Sequence, residues 1–319
     1  MTGLRALARH VIGLAVTVWA STVVIFGALA LAPGSPLAFL SGGRTLSVQE
    51  KAALSAYYHL NKPFWARYWE WLTGLLQGNL GTSVEFHEPV TDVLGPRLET
   101  TLFLVLYAGV LIVVIGVGLG VIAARAPRWL DSAITAVTSI GLATPAFVAA
   151  VGLTLLFAVK VTWFPVFGSG SGLLGRLSHL TLPAAALAIG GVALIARITR
   201  AAVRAELASD HVETARSRGL SELRVLRRHA VRNALIPVTT ASGLTIGSLI
   251  AGTAVVETAF DVSGAGSLLV QSVEIKDFPV VQAVCLLMVI AFALINTGVD
   301  LLYGVIDPRL RIKGAEAGL

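Results

Sequence analysis

The polar side chains of this 319-residue chain gather in one place. Residues 204–232 read RAELASDHVETARSRGLSELRVLRRHAVR, with seven arginines, four carboxylates and two histidines. Such a set is not needed to cross a bilayer and has to serve something outside it, and nothing in it points to covalent chemistry. Elsewhere the reactive residues are dispersed. His10, His59, His87, His179, His211 and His229 lack the spacing of metal ligands, and His87-Glu88 has no second His four residues on. None of the five lysines follows a glycine, so the phosphate-cradling GK[ST] loop is missing, and no GxGxxG follows a strand. The one cysteine, Cys285, sits in an apolar run and reads as a small packing residue. Glu257 and Asp261, beside another apolar run, could meet the amine of a substrate; a capping or loop role fits them as well. A hydrolase working inside a membrane would need a Ser or His in a span, and His179 is the one hint of it.

The elements that must position these residues are apolar. Hydrophobic residues make up 55% of the chain and charged ones 13%, against about a quarter charged in soluble domains. Lipid is the solvent this composition suits. Six uncharged runs, 11–32, 100–124, 132–159, 177–196, 233–256 and 278–299, each reach the roughly 20 residues a helix needs to cross a bilayer. None alternates with the period of two of a barrel strand. The first run has 22 residues, longer than the 7–15 of a signal-peptide core, and is expected to be a retained span. No Asp, Glu, Lys or Arg interrupts the six runs, which disfavours a cation-driven carrier. Of the lysines and arginines, 16 fall in segments 1–10, 125–131, 197–232 and 300–319, and 8 in the alternate set. The first set, with both termini, is therefore expected in the cytoplasm. The net charge of +6 is a topology signal rather than a nucleic-acid signal.

Local patterns refine the picture. Ser47 and Glu50 form a capping-box pair. Residues 64–76 read as a helix with Phe64, Tyr68, Trp71, Leu72 and Leu75 on one stripe, and Trp65, Trp69 and Trp71 suit the headgroup level. Gly116, Gly118 and Gly120, and Gly243, Gly247 and Ala251, have small-residue spacing for close packing within the chain, or against a second subunit or pore. Pro145 predicts a kink or break in the third span. The loop 160–180 is expected to flex at 168–172, anchored on one side by Trp163, Phe164 and Phe167. Arg197 and Arg200 read as snorkelling from the fourth span. Within 204–232, a helix over 209–217 capped by Ser209 or Asp210, a left-handed turn at Gly219, and a second helix from Ser221 are expected, with Pro237 opening the fifth span. The second helix puts Leu223, Leu226, Ala230 and Val231 on one face and Arg224, Arg227, Arg228 and Arg232 on the other. Glu213, Ala215 and Gly219 are expected to project into the cytoplasm. Two uses of this hairpin stay open: docking something in the cytoplasm, or resting on anionic headgroups.

Glu213-Thr214-Ala215-Arg216-Ser217-Arg218-Gly219, with Ile236-Pro237 downstream, resembles the EAA–Gly loop of bacterial ATP-binding-cassette (ABC) importer permeases. Ala32-Pro33-Gly34-Ser35-Pro36 and the stretches 58–72, 76–83, 254–269, 275–284 and 299–312 are similar to the dipeptide/oligopeptide (peptide/nickel) subfamily, in its B-type subunit. Thr214 replaces the motif's usual Ala, and Asp261-Val262-Ser263 replaces a usual Gly-Leu-Pro. The resemblance implies an all-α membrane protein of six helices with the type I importer fold. Residues 1–98 would form the first helix and a large external segment, and 99–312 the core permease, with the coupling loop at 200–236. It implies that Glu213, Thr214, Ala215, Arg216, Arg218 and Gly219 dock an ATPase, and that the chain holds no cofactor and does no catalysis. ATP and Mg would be bound by two partner ATPase subunits. A second, homologous permease and an external peptide-binding protein, docking on 33–98, 160–180 and 258–280, complete the implied assembly. Implied cargo is a dipeptide or oligopeptide; nickel complexes and haem occur in the same family. A passive channel is the remaining rival.

Overall fold

The computed structural model describes residues 2–30, 47–57 and 61–306. Eleven helices are described: α1 (Thr2–Ala30), α2 (Val48–Tyr57), α3 (Phe64–Leu76), α4 (Val90–Arg125), α5 (Arg128–Ala143), α6 (Ala146–Lys160), α7 (Gly172–Leu207), α8 (Asp210–Ser217), α9 (Glu222–Ala259), α10 (Ala265–Ile275) and α11 (Phe278–Ile306). Among the described residues, the one β pairing is an isolated bridge between Thr82 and Pro89. Ala32–Pro36 and residues 307–312 of the motifs above lie outside the described residues.

Five of these helices, α1, α4, α7, α9 and α11, are long and apolar enough to cross a membrane. The third uncharged run is not a straight sixth. It is the α5–α6 pair, bent by 108°. Thr144, forced out of the helical region by the following proline, is extended at φ −84° and ψ 117°. Its hydroxyl turns back to the Ile140 carbonyl at 2.7 Å, so the end of α5 keeps a partner. The break at Pro145 was expected; its size goes beyond a kink.

α7 is the central post. Its alanines 184, 186, 188, 193 and 196 are buried and present little bulk, so neighbours approach closely. The main core joins Leu104, Ala108 and Ile112 of α4 to Leu180, Leu187 and Ile195 of α7 and to Val238, Ile250 and Val256 of α9. A Cβ on Gly116 would touch Ile195, and one on Gly120 would overlap Thr199 and the Ala196 carbonyl, whereas Gly118 faces open space. The first glycine motif therefore packs within the chain at two of its three positions. In the second, Gly247 backs onto Asn296 and Phe292 of α11, while Ala251 is exposed.

α1 packs on α3 and α11. Phe26 sits among Phe64, Tyr68 and Trp71, and the Tyr68 hydroxyl lies 2.9 Å from Thr22 Oγ1. Trp71 therefore turns inward, while Trp65 and Trp69 stay outside as expected for an interfacial helix. The capping box opens α2: the Ser47 N–H donates to Glu50 Oε2 at 2.8 Å, and the Glu50 N–H to Ser47 Oγ at 3.2 Å. The Ser47 N–H is the chief cause holding the Glu50 carboxyl below its ordinary range.

Alternation of the spans puts residues 126–127 and 208–221 at one end and 77–89, 161–171 and 260–277 at the other. Cross-links agree with this. At the first end, Arg204 of α7 donates to the carbonyls of Ala123 and Ala124. At the other, Asp277 Oδ2 accepts the Ser83 hydroxyl and the N–H groups of Val84 and Glu85, and the Gly168 N–H reaches the Phe260 carbonyl. Gly168, Gly170 and Gly172 all take positive φ where the 160–180 loop turns into α7.

Candidate functional site

The charged hairpin is built as two layers. Its inner layer is apolar: Val212 and Ala215 of α8 and Val225 of α9 are buried together against Leu207 and Leu220. Ala215 is 5% exposed, so it does not project into the cytoplasm as the sequence suggested; it is the seat on which α8 rests. The positions were legible as an i, i+3 apolar pair on a short polar helix. The outer layer is what remains: Glu213, Thr214, Arg218 and Gly219 are exposed.

Ser209 stands at the N-cap position with extended backbone, but its hydroxyl does not cap α8. It donates to the Glu206 carbonyl at 2.5 Å and lies 2.9 Å from His211 Nδ1. His211 Nε2 is 3.3 Å from Glu206 Oε2, and Asn233 Nδ2 donates to the same carboxylate at 3.1 Å. The end of α7, the first turn of α8 and the body of α9 thus meet in one polar knot at the root of the hairpin. The far end of α8 closes at Gly219, φ +77°, with its N–H on the Arg216 carbonyl and the Leu220 N–H on the Ala215 carbonyl. Among the described residues beyond its chain neighbours, a Cβ at Gly219 would meet nothing within 4 Å.

Arg216 is spoken for. Its guanidinium donates to both carboxylate oxygens of Glu222, at 2.9 and 3.3 Å, and to the Leu207 carbonyl at 3.4 Å. It braces the hairpin from outside, while Arg218 makes no ion pair among the described residues.

The second helix of the hairpin is not separate. It begins at Glu222, passes through a widened turn at Leu226–Ala230, and runs on unbroken to Ala259, with Pro237 inside. Pro237 therefore does not open the fifth span; the helix starts about four turns earlier, at about 3.6 residues per turn. Leu226 and Ala230 are buried and Arg224, Arg227, Arg228 and Arg232 exposed, as the periodicity implied. Leu223 is the exception, at 59% exposed.

At the opposite end, Glu257 is not a free carboxylate. It is fully buried, accepts the Thr101 hydroxyl at 2.6 Å and the Ser267 N–H at 2.9 Å, and so holds the first turn of α10. Thr101 in turn accepts the Ala265 N–H at 2.8 Å. Gly264 and Gly266 are required there, because a Cβ on either would run into Glu257. The low-lying clue was the Gly264-Ala265-Gly266 triplet, which marks a close approach. Only Asp261 of the two candidate substrate-contacting acids is exposed, in a left-handed turn at φ 49°. Replacing Glu257 by Ala leaves the Thr101 hydroxyl and Ser267 N–H unpaired, at a cost of about 1–3 kcal/mol. A lowered thermal midpoint of the detergent-solubilised protein, with Glu257→Gln less affected, is the expected result.

His179 donates Nδ1–H to the Gly175 carbonyl at 2.9 Å, an in-helix contact, and no carboxylate is among its partners. Among the described residues no three His, Cys, Asp or Glu side chains are placed to hold a metal ion.

Against known proteins, residues 116–312 match the family described as "Binding-protein-dependent transport system inner membrane component". The glutathione transport system permease protein GsiC of Escherichia coli O6:H1 is 36% identical over 306 residues, 96% of this chain and 98% of that protein. A probable peptide ABC transporter permease protein, y4tP of Sinorhizobium fredii, is 37% identical over 293 residues, 91% and 93% of the two chains. Among solved structures, the inward-facing MetNI methionine ABC transporter aligns with a TM-score of 0.57 at 21% identity, over 68% of this chain and 97% of that one. An amino acid ABC transporter with histidines aligns at 0.52, with 18% identity, over 67% and 94%.

Proposed function

Because the chain belongs to the family of binding-protein-dependent transport system inner membrane components, we propose that it moves its cargo only when an ATPase subunit grips the α8 hairpin. It is a permease subunit of an ABC importer and a multi-pass inner-membrane protein. The observation that carries the reading is the hairpin's construction: Glu213, Thr214, Arg218 and Gly219 are exposed on a helix whose other side is locked to the bundle by Val212, Ala215 and the Arg216–Glu222 pair. A rigidly rooted, solvent-facing helix can be pushed, and can hand the push on. Chemistry at this site is neither required nor provided for. ATP and Mg belong to two ATPase partners; a second homologous permease completes the pathway, and an external binding protein delivers the cargo. Residues 1–98 form the first helix and external segment, and 99–312 the core permease around the coupling loop 200–236. The basic segments, with both termini, face the cytoplasm.

The cargo is a short peptide of the dipeptide to glutathione size. Support comes from the two relatives, named for glutathione and for peptide transport. Uptake of labelled dipeptide and of glutathione into vesicles carrying the complete assembly, with a nickel complex and haem as competitors, tests both parts. ATP-dependent uptake of peptide alone is expected. Uptake by this chain without the ATPases would overturn the mechanism, and competition by nickel or haem would overturn the cargo.

A further inference from the structure

Arg197 and Arg200 were expected to snorkel from α7. Instead they form a seam with α5. Asp131, in the first turn of α5, receives Arg200 through both oxygens, at 2.5 and 2.7 Å, and Arg204 at 2.9 Å. Arg204 also donates to the carbonyls of Ala123 and Ala124, the last turn of α4, at 3.3 and 3.4 Å. One helical face higher, Arg197 reaches the Ser139 hydroxyl. The three arginines lie at i, i+3 and i+7, on one stripe of α7. The Asp131 side chain is 13% exposed, and a guanidinium fork on a carboxylate fixes direction as well as distance.

The location gives the seam its meaning. Arg204 is three residues from the end of α7, and α8 begins at Asp210. On its other side the seam holds the whole of α5, which ends at the 108° elbow of Thr144-Pro145. α5 and the lower half of α7 are thus bound into one body, and the elbow is the first place above it where the backbone leaves helical geometry.

We propose that Asp131 is a positioning residue for coupled transport: it clamps α5 to α7 so that movement of the α8 hairpin reaches the α5–α6 elbow. This rests on the reading of α8 as the ATPase dock. The test uses the full assembly in proteoliposomes, comparing Asp131→Asn and Asp131→Glu with the unmodified protein for ATP hydrolysis and peptide uptake in the same vesicles. ATP turnover is expected to persist while peptide moved per ATP falls by about 2- to 30-fold, the range seen when a coupling network is cut. A merely structural role would lower hydrolysis and uptake in parallel, and that result, or no change in either, overturns the proposal. Asp131→Glu keeps the charge and is the variant that decides the matter if Asp131→Asn does not assemble. A second readout places spin labels at Val137 and Val151, either side of the elbow, in a Cys285→Ala background. Their separation should change with nucleotide in the unmodified protein and stay fixed in Asp131→Asn; a change of equal size in both overturns the clamp. Gly219→Asp, measured alongside, separates the two ideas. If Gly219→Asp uncouples and Asp131→Asn does not, the clamp alone fails; if Gly219→Asp transports normally, both fall.

Discussion

Replacing Gly219 by Asp should abolish peptide uptake while leaving the protein folded and assembled. The turn is left-handed, φ +77°, which a non-glycine residue occupies at a cost of about 1–2 kcal/mol, least for Asp and Asn. Among the described residues, nothing beyond the glycine's own chain neighbours lies within 4 Å of the added Cβ, so packing raises no other objection. What the substitution does change is the exposed face of the hairpin, where it puts a charge into the proposed ATPase contact. Burying such a charge costs over about 2 kcal/mol at a central contact, enough for a loss of tenfold or more in coupling. ATP hydrolysis measured beside uptake distinguishes this from unfolding, which would remove both. Gly219→Asn is the control, with the same backbone tolerance and no charge. If Asn and Asp fail equally, size at the contact rather than charge is responsible; if Asp transports at the normal rate, α8 is not the dock.

The second large effect is expected at Gly120. A Cβ there would stand 2.5 Å from Thr199 Cβ and 2.6 Å from the Ala196 carbonyl oxygen, and backbone cannot swing aside as a side chain can. α4 and α7 make the most extensive helix pair in the bundle, so separating them at Gly120 loosens the main core as well. Gly120→Val should cost upwards of about 3 kcal/mol, beyond ordinary overpacking. The measurement is the yield of monodisperse protein in detergent and its thermal midpoint. Gly118→Val, two residues away and facing open space, should leave both unchanged. A failure of Gly118→Val to assemble with its companion permease, in a protein that folds normally, would mark that face as the contact between subunits. Equal yields for the two variants would contradict the close packing at Gly120.

The membrane-spanning plan was legible because a bilayer imposes length and the exclusion of charge, and both are visible in a one-dimensional string. The hairpin was legible too: Gly219 announced its own turn, and the alternation of arginines and aliphatics announced the faces of α9. What stayed hidden was pairing across long separations. Glu257 looked external because it stands at the edge of an uncharged run. Its donors come from Thr101, 156 residues earlier, and from the first turn of α10, and no local pattern records such a meeting. Asp131 was the sole acid in the 125–131 segment, facing a set of arginines in 197–204, and that lone opposite charge was the available clue. Trp71 misled because an aromatic at a membrane boundary and an aromatic packed on a neighbouring helix share the same composition. The 108° elbow exceeded expectation because a proline specifies a broken hydrogen bond but not the angle at which the neighbours then settle.

α9 carries one more implication. It is 38 residues long, so at about 1.5 Å per residue it measures roughly 57 Å, against about 30 Å of hydrocarbon. Its charged first eleven residues, 222–232, roughly 16 Å of that length, stand beyond the uncharged run 233–256, with the hairpin fastened to the tip. Such a rod works like an oar in its rowlock: a tilt of about 5° about its midpoint sweeps the tip by roughly 2.5 Å on the dimensions just given. A stroke of that size at the inner surface therefore needs only a slight rocking at the midplane, and tight packing around Gly247 is compatible with a wide arc at the cytoplasmic end.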